Sequence, residues 1–102
     1  MSFDGKVLNL CKRIPKGRVS TYKEIAKALR TRAYRAVGQA LKRNPCSPKV
    51  PCHRVVNSDG SLGGYSGRLH SPKKIKLLRK EGVLVKNYKI VGFKKKLFRY
   101  HR

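Results

Sequence analysis

Apolar residues recur at Phe3, Val7, Leu10, Cys11 and Ile14, the three-and-four spacing that gathers them on one face of a helix. Asp4 lies near the positive end of that helix, and Pro15-Lys16-Gly17 breaks it into a turn. Cys11 therefore reads as core. Thr21-Tyr22-Lys23-Glu24 has the capping-box arrangement, which predicts a helix start, and Tyr22, Ile25, Ala26 and Leu29 follow at helical spacing. After the link Arg30-Thr31-Arg32, the residues Ala33, Ala36, Val37, Ala40 and Leu41 mark the apolar face of a further helix, which Asn44-Pro45 ends. Two short helices joined in this way read as a helix-turn-helix. A short apolar run, residues 50–56, follows and reads as extended chain. Residues 57–67 are dense in glycine and small polar residues and read as loop. Ser71-Pro72 opens another helix, with Ile75, Leu77 and Leu78 inward and Gly82 placed to cap its end. Val83-Leu84-Val85 and Tyr88-Lys89-Ile90-Val91 can pair as a hairpin across Lys86-Asn87. The fold class expected is mainly α.

Composition sharpens the picture. At 102 residues the chain is expected to form one domain, with residues 86–102 as a small hairpin and basic tail. Lys and Arg number 27 against four acids, a formal charge of +23. A field of that sign attracts polyanions, and nucleic acid is the natural partner. A heat-adapted surface would raise both signs together in ion-pair networks, and here acids are nearly absent. The tail, residues 94–102, interleaves aromatics with cations, so it either tracks phosphates or trails in solvent. Three cysteines, Cys11, Cys46 and Cys52, with no Cys-x-x-Cys pair, fit reduced intracellular thiols rather than a disulfide framework. Cys46, Cys52 and His53 match no usual zinc spacing, so no metal is expected. No apolar run approaches the ~20 residues of a membrane span and no signal peptide opens the chain, so an intracellular location without membrane contact is expected.

Candidate chemistry centres on Val50-Pro51-Cys52-His53-Arg54-Val55-Val56. A thiolate is a far better nucleophile than a thiol, and a neighbouring base or cationic surroundings promote it. In an extended chain adjacent side chains point to opposite faces, so contact between Cys52 and His53 would need a turn or a bridging water, and the water is the expectation. An inert buried cysteine is the plain alternative. On the face of the second helix opposite its apolar stripe stand Arg35, Gly38, Gln39 and Lys42. They form a strip of cationic, amide and side-chain-free positions suited to close approach to DNA, with Arg35 at the end that enters a groove. The plain alternative is a solvated face. The glycine-rich loop lacks the spacing and terminal lysine of a P-loop, which argues against nucleotide hydrolysis.

The Pro-Cys-His-Arg-Val run, together with Asn44-Pro45, Gly63-Gly64-Tyr65-Ser66-Gly67 and the capped helix pair, resembles the O6-alkylguanine-DNA alkyltransferases over residues 17–82. The resemblance implies a small winged-helix-like domain with helix-turn-helix elements, similar to that family's C-terminal, active-site domain. The family's additional N-terminal domain is expected to be absent. It also implies direct reversal of alkylation in double-stranded DNA. Cys52 takes the alkyl group from a flipped O6-alkylguanine once and irreversibly, His53 acts as base through water, and Glu81 supports His53. By the same likeness Arg35 fills the gap in the base stack, and Tyr22 crowds the target's phosphate. Asn44 acts as hinge, Tyr65 and Ser66 wall the guanine pocket, and carbonyls near Cys52 and Val55 accept from the base amine. Glu81 is matched by its Glu-Gly ending across a lengthened link, Arg68-Leu69-His70-Ser71, and its plain alternative is a surface glutamate. No cofactor is implied, and a monomer is expected. Two other readings remain: an alkyltransferase-like lesion-binding protein without transfer, in which the reactive cysteine is commonly tryptophan, and a helix-turn-helix regulator.

Overall fold

The computed structural model describes residues 2–44, 49–65, 68–69 and 71–100. The first helix, α1 (Phe3–Lys12), begins at Ser2, whose hydroxyl accepts from the Gly5 amide at 3.1 Å. Its inward residues are Val7 and Cys11, whereas Phe3, expected on the apolar face, is exposed at the end of the helix. Ile14 lies beyond the last turn and is nevertheless buried. Strand β1 (Ser20–Thr21) runs straight into α2 (Tyr22–Ala28). The Thr21 hydroxyl caps that helix by accepting from the Glu24 amide at 3.0 Å, the threonine half of the expected capping box.

Helix α2 ends in a Schellman turn, the Thr31 amide reaching the Ala26 carbonyl and the Arg30 amide that of Lys27. Such a turn favours glycine in left-handed backbone, yet Arg30 occupies that position with φ 58°. For a residue with a Cβ this conformation costs about 1–2 kcal/mol. Helix α3 (Tyr34–Lys42) then buries Val37, Ala40 and Leu41 against α1 and α2. Asp4 on α1 takes both ends of its carboxylate to Arg43, just past α3, at 2.8 and 2.9 Å.

Residues 52–54 form a single 3-10 turn, not the extended chain expected, and lead into β2 (Val55–Val56), which pairs in parallel with β1. Because successive strand residues face opposite ways, Val55 joins one core cluster, with Val7, Cys11, Ile25, Val37 and Cys52. Val56 joins the other, with Val19, Leu62, Leu78, Val83 and Ile90. The 57–67 segment, expected as loop throughout, contains β3 (Gly64–Tyr65), which pairs antiparallel with β4 (Arg68–Leu69).

Helix α4 (Pro72–Lys80) turns Lys74 and Leu78 inward, with Ile75 and Leu77 only partly covered. The hairpin of β5 (Val85–Lys86) and β6 (Lys89–Ile90) turns at Asn87 and Tyr88, one residue later than expected. Both are in left-handed backbone, as a two-residue hairpin turn needs. That register places Val85 opposite Ile90, both buried, where a one-residue slip would expose one of them.

Up to Tyr100 the basic tail is docked on the fold through its apolar residues. After α5 (Phe93–Lys96) the chain lies beside Val19, with the Phe98 amide donating to the Val19 carbonyl at 2.6 Å. The Ser20 hydroxyl donates to the Phe98 carbonyl at 2.8 Å, and the Tyr100 hydroxyl donates to that of Leu10 at 2.6 Å. Residues 97–100 thus close over α1 and β1. The result is a mainly helical small domain, with five α-helices and three two-stranded pairings among the described residues.

Candidate active site and nucleic-acid face

The 3-10 turn sets Cys52 in the first core cluster, 8% exposed, and His53 beside it at 2%. The imidazole Nε2 lies 3.1 Å from Oε2 of Glu81, the residue that ends α4. A carboxylate at a helix C-terminus meets the negative end of the helix dipole, so this placement needs a compensating cation. Arg54 supplies it, donating from Nε to Oε1 at 2.9 Å and from a terminal nitrogen to Oε2 at 2.6 Å, while its other terminal nitrogen holds the Ile14 carbonyl at 2.8 Å. Burial raises the Glu81 carboxyl, but the hydrogen bonds from Arg54 and His53 outweigh it and hold the group below its ordinary value. Burial also lowers His53, against the pull of Glu81, so the imidazole is neutral near pH 7 and able to accept a proton.

Arg54 carries no role in the sequence reading; its place in the Cys-His-Arg run was the available signal. Lys74 was missed altogether. It is fully buried, and its ammonium donates to the carbonyls of Val55 at 2.8 Å, Gly64 at 3.0 Å and Leu62. Burial pulls its pKa down to about 7, opposed by the nearby Cys52 and Cys11. Three carbonyl acceptors occupy all three N–H groups of an ammonium, which favours the charged form. The lysine therefore ties β2 to the 62–64 segment and puts positive charge close to the Cys52 thiol. The Val55 carbonyl, expected to receive a base amine, gives one of its lone pairs to this lysine.

Asn44 donates from Nδ2 to the Val50 carbonyl at 2.9 Å, joining the end of α3 to the approach to Cys52. Cys11 is the inert thiol: burial, and then Cys52, push it up to about 12. Tyr22 leans on the same core, and burial pushes its hydroxyl up to about 12, with Cys52 next among the causes. A Cβ at Gly63, where φ is 67°, would stand 3.1 Å from the Tyr22 hydroxyl and 3.2 Å from Asn57 Oδ1, so only glycine lets this loop close on the tyrosine. The Tyr65 side chain and Ser66 lie outside the described residues, as do Pro45 and Cys46. Among the described residues no three His, Cys, Asp or Glu side chains gather as metal ligands.

A groove of about 870 Å³ runs along the outer face of α3, lined among others by Tyr22, Tyr34, Arg35, Gly38, Gln39 and Asp59. The expected strip on that helix thus faces a cavity, except Lys42, which is exposed further along. Outside the backbone of its own helix and its chain neighbours, no described residue lies within 4 Å of a Cβ built at Gly38. The fold does not require that glycine, and a helix interior loses about 0.5–1 kcal/mol by having it instead of alanine. Its bare surface leaves room for something outside the chain. Tyr22 links the two regions, lining the groove at one side and leaning on the core of Cys52 at the other. No helix among the described residues is long and apolar enough to cross a membrane.

Comparison with known proteins gives this arrangement its relatives. The family described as 6-O-methylguanine DNA methyltransferase, DNA binding domain, matches residues 2–83. The methylated-DNA--protein-cysteine methyltransferase of Methanosarcina barkeri is 56% identical over 61 residues, 59% of this chain and 38% of that one. That of Archaeoglobus fulgidus is 49% identical over 86 residues, 80% of this chain and 57% of that one. This chain therefore spans only part of the length of these relatives. Among solved structures, S. pombe Atl1 in complex with damaged DNA containing O6-carboxymethylguanine superposes with a TM-score of 0.80 at 30% identity, covering 96% of this chain and 95% of that one. The O6-methylguanine-DNA methyltransferase of Pyrococcus kodakaraensis gives 0.70 at 48% identity, covering 81% and 47%. By its sequence, its helices and the arrangement around Cys52, the chain belongs to the 6-O-methylguanine DNA methyltransferase DNA-binding domain family.

Proposed function

We propose that this chain is the active-site domain of a direct-reversal DNA repair protein, equivalent to the C-terminal domain of the alkyltransferases, and that Cys52 takes the alkyl group from O6-alkylguanine in duplex DNA. The observation that carries the reading is the buried His53 held against Glu81 next to a cysteine. Supporting it are the methyltransferase names of its relatives and the DNA-bound state of its structural neighbours.

The chemistry follows from those groups. The α3 face meets the duplex, Arg35 enters the stack, and Tyr22 crowds the target so that the base turns outward, since an atom inside a duplex is beyond reach of a protein nucleophile. Asn44 acts as the hinge to the reactive turn, and Tyr65 and Ser66 wall the pocket. The Cys52 proton passes through water to His53, whose charge Glu81 balances. Lys74 adds a second cation near the thiolate. The sulfur attacks the alkyl carbon, a carbon–sulfur bond forms, and the carbon–O6 bond breaks with its electron pair leaving on guanine. One proton returns to the departing base, so the step balances without a redox partner or cofactor. The thioether is stable and each molecule acts once.

The alternative, lesion binding without transfer, is favoured by the nearly end-to-end match to Atl1. Repair stoichiometry separates the two. Titrating the protein against excess duplex bearing O6-methylguanine should restore one guanine per molecule and then stop. Tight binding with no restored guanine would replace transfer by recognition.

A further inference from the structure

A second cavity, of about 380 Å³, opens between α2 and the start of α3, and Lys23, Lys27, Arg30, Thr31, Arg32 and Tyr34 line it. Four of these six carry positive charge and none is acidic. Glu24, the acid on α2, lies close enough to Tyr100 to act on its hydroxyl and does not line the cleft. Neither Arg30 nor Arg32 has an acidic partner among the described residues. Tyr34, 45% exposed at the first residue of α3, lines this cleft and the groove along α3, as does Lys23, so the two cavities share a wall.

The backbone gives an independent sign. Arg30 holds the left-handed position of the Schellman turn, where glycine would sit without strain. A strained residue that the fold does not need points to a use for its side chain. The guanidinium is the group suited to gripping phosphate oxygens two at a time.

We propose that the cleft between α2 and α3 is a subsite for backbone phosphates of duplex DNA, with Arg30 and Arg32 as its main phosphate ligands. This site lies beside the groove of the recognition face and extends contact along the strand without touching a base. It rests on the reading that α3 faces DNA, but not on alkyl transfer. Its probe is therefore undamaged duplex, and a protein that transfers nothing still reports on the cleft.

The test is the salt dependence of duplex affinity for the wild type, for Arg30→Gln with Arg32→Gln, and for a control, Lys94→Gln with Lys95→Gln, which removes the same charge from α5. The logarithmic slope is expected to become shallower by up to about 1.8 in the cleft variant, two phosphates at roughly 0.9 each, and to change far less in the control. A wild-type slope in the cleft variant, or equal losses in both, overturns the proposal, the second by showing that charge acts in bulk. Arg30→Gly gives a separate reading: melting temperature is expected to rise as strain is removed while affinity falls. A rise in melting temperature with unchanged affinity would make Arg30 a strained residue without a ligand.

Discussion

The surroundings of Cys52 and the outer face of α3 are built on opposite terms. Around the thiol, charge is buried and fixed: Glu81 is held by two donors from Arg54 and lies against His53, and Lys74 is held by three carbonyls. On the α3 side Lys23, Tyr34, Arg35 and Gln39 stand in solvent around an open groove. The difference fits the tasks proposed for the two regions. A proton transfer needs groups held at hydrogen-bond distance and kept out of water, where a fixed charge acts strongly. Gripping a polyanion needs cations that stay hydrated until counterions are released, and their geometry can adapt.

If that division holds, changes on one side should leave the other side's measurement alone. The largest effect is expected from Cys52→Ala, which should abolish alkyl transfer, read by restored guanine, while duplex affinity stays near wild type. Transfer in that variant would remove the central assignment. Next comes Glu81→Gln. General-base assistance is worth ~100- to 10,000-fold, so losing the group that supports the base should slow transfer visibly and move the reaction to higher pH. The sign follows from the structure: Glu81 raises His53, so without it the imidazole becomes a weaker base. A wild-type rate profile would make Glu81 a structural partner of Arg54 only.

Arg35→Ala tests the other side. Transfer from the duplex should fall about 5- to 150-fold, the equivalent of ~1–3 kcal/mol lost from base extrusion, while reaction with the free alkylated base barely changes. Equal losses on both substrates would place Arg35 in folding or in the pocket. The smallest effect is expected from Gly38→Ala. It should stabilise the fold by about 0.5–1 kcal/mol in denaturant unfolding and weaken duplex binding, because the added methyl meets DNA instead of protein. Tighter or unchanged binding would mean that DNA does not approach this part of α3.

Acid should find the buried side first. His53 is held below its ordinary 6.5 and Glu81 below its ordinary 4.5, so the unfolded chain takes up each proton at a higher pH than the folded one. Stability from these two groups is therefore full above about pH 6.5 and declines as pH falls, through the His53 window and then the Glu81 window. Unfolding in denaturant between about pH 7 and about pH 4 should show that decline, with the lower part shallower in Glu81→Gln. An unchanged acid limb would contradict the folded-state pairing.

Periodicity and scarcity account for what could be read in advance. The helix pair was legible because Thr21, Ile25, Ala26, Val37 and Leu41 repeat at helical spacing behind a cap. Glu81 stood out because acids are rare. The rest hid behind residue types that normally face water. Lys74 sits among lysines, and no spacing rule predicts that one of them packs its stem inward and spends its ammonium on three carbonyls. Arg54 is one arginine of many until the turn at Cys52 aims it at Glu81. The tail reads as charge, yet Leu97, Phe98 and Tyr100 between the cations are what dock it on α1 and β1.

Intact mass of the protein after mixing with duplex containing O6-methylguanine, followed by peptide mapping, tests the central claim most directly. The account predicts a gain of one methyl group, located on the peptide that holds Cys52 and absent from the one that holds Cys11. An unmodified mass while the protein remains tightly bound to the lesion would contradict transfer, and a methyl group on any other residue would contradict Cys52 as the nucleophile.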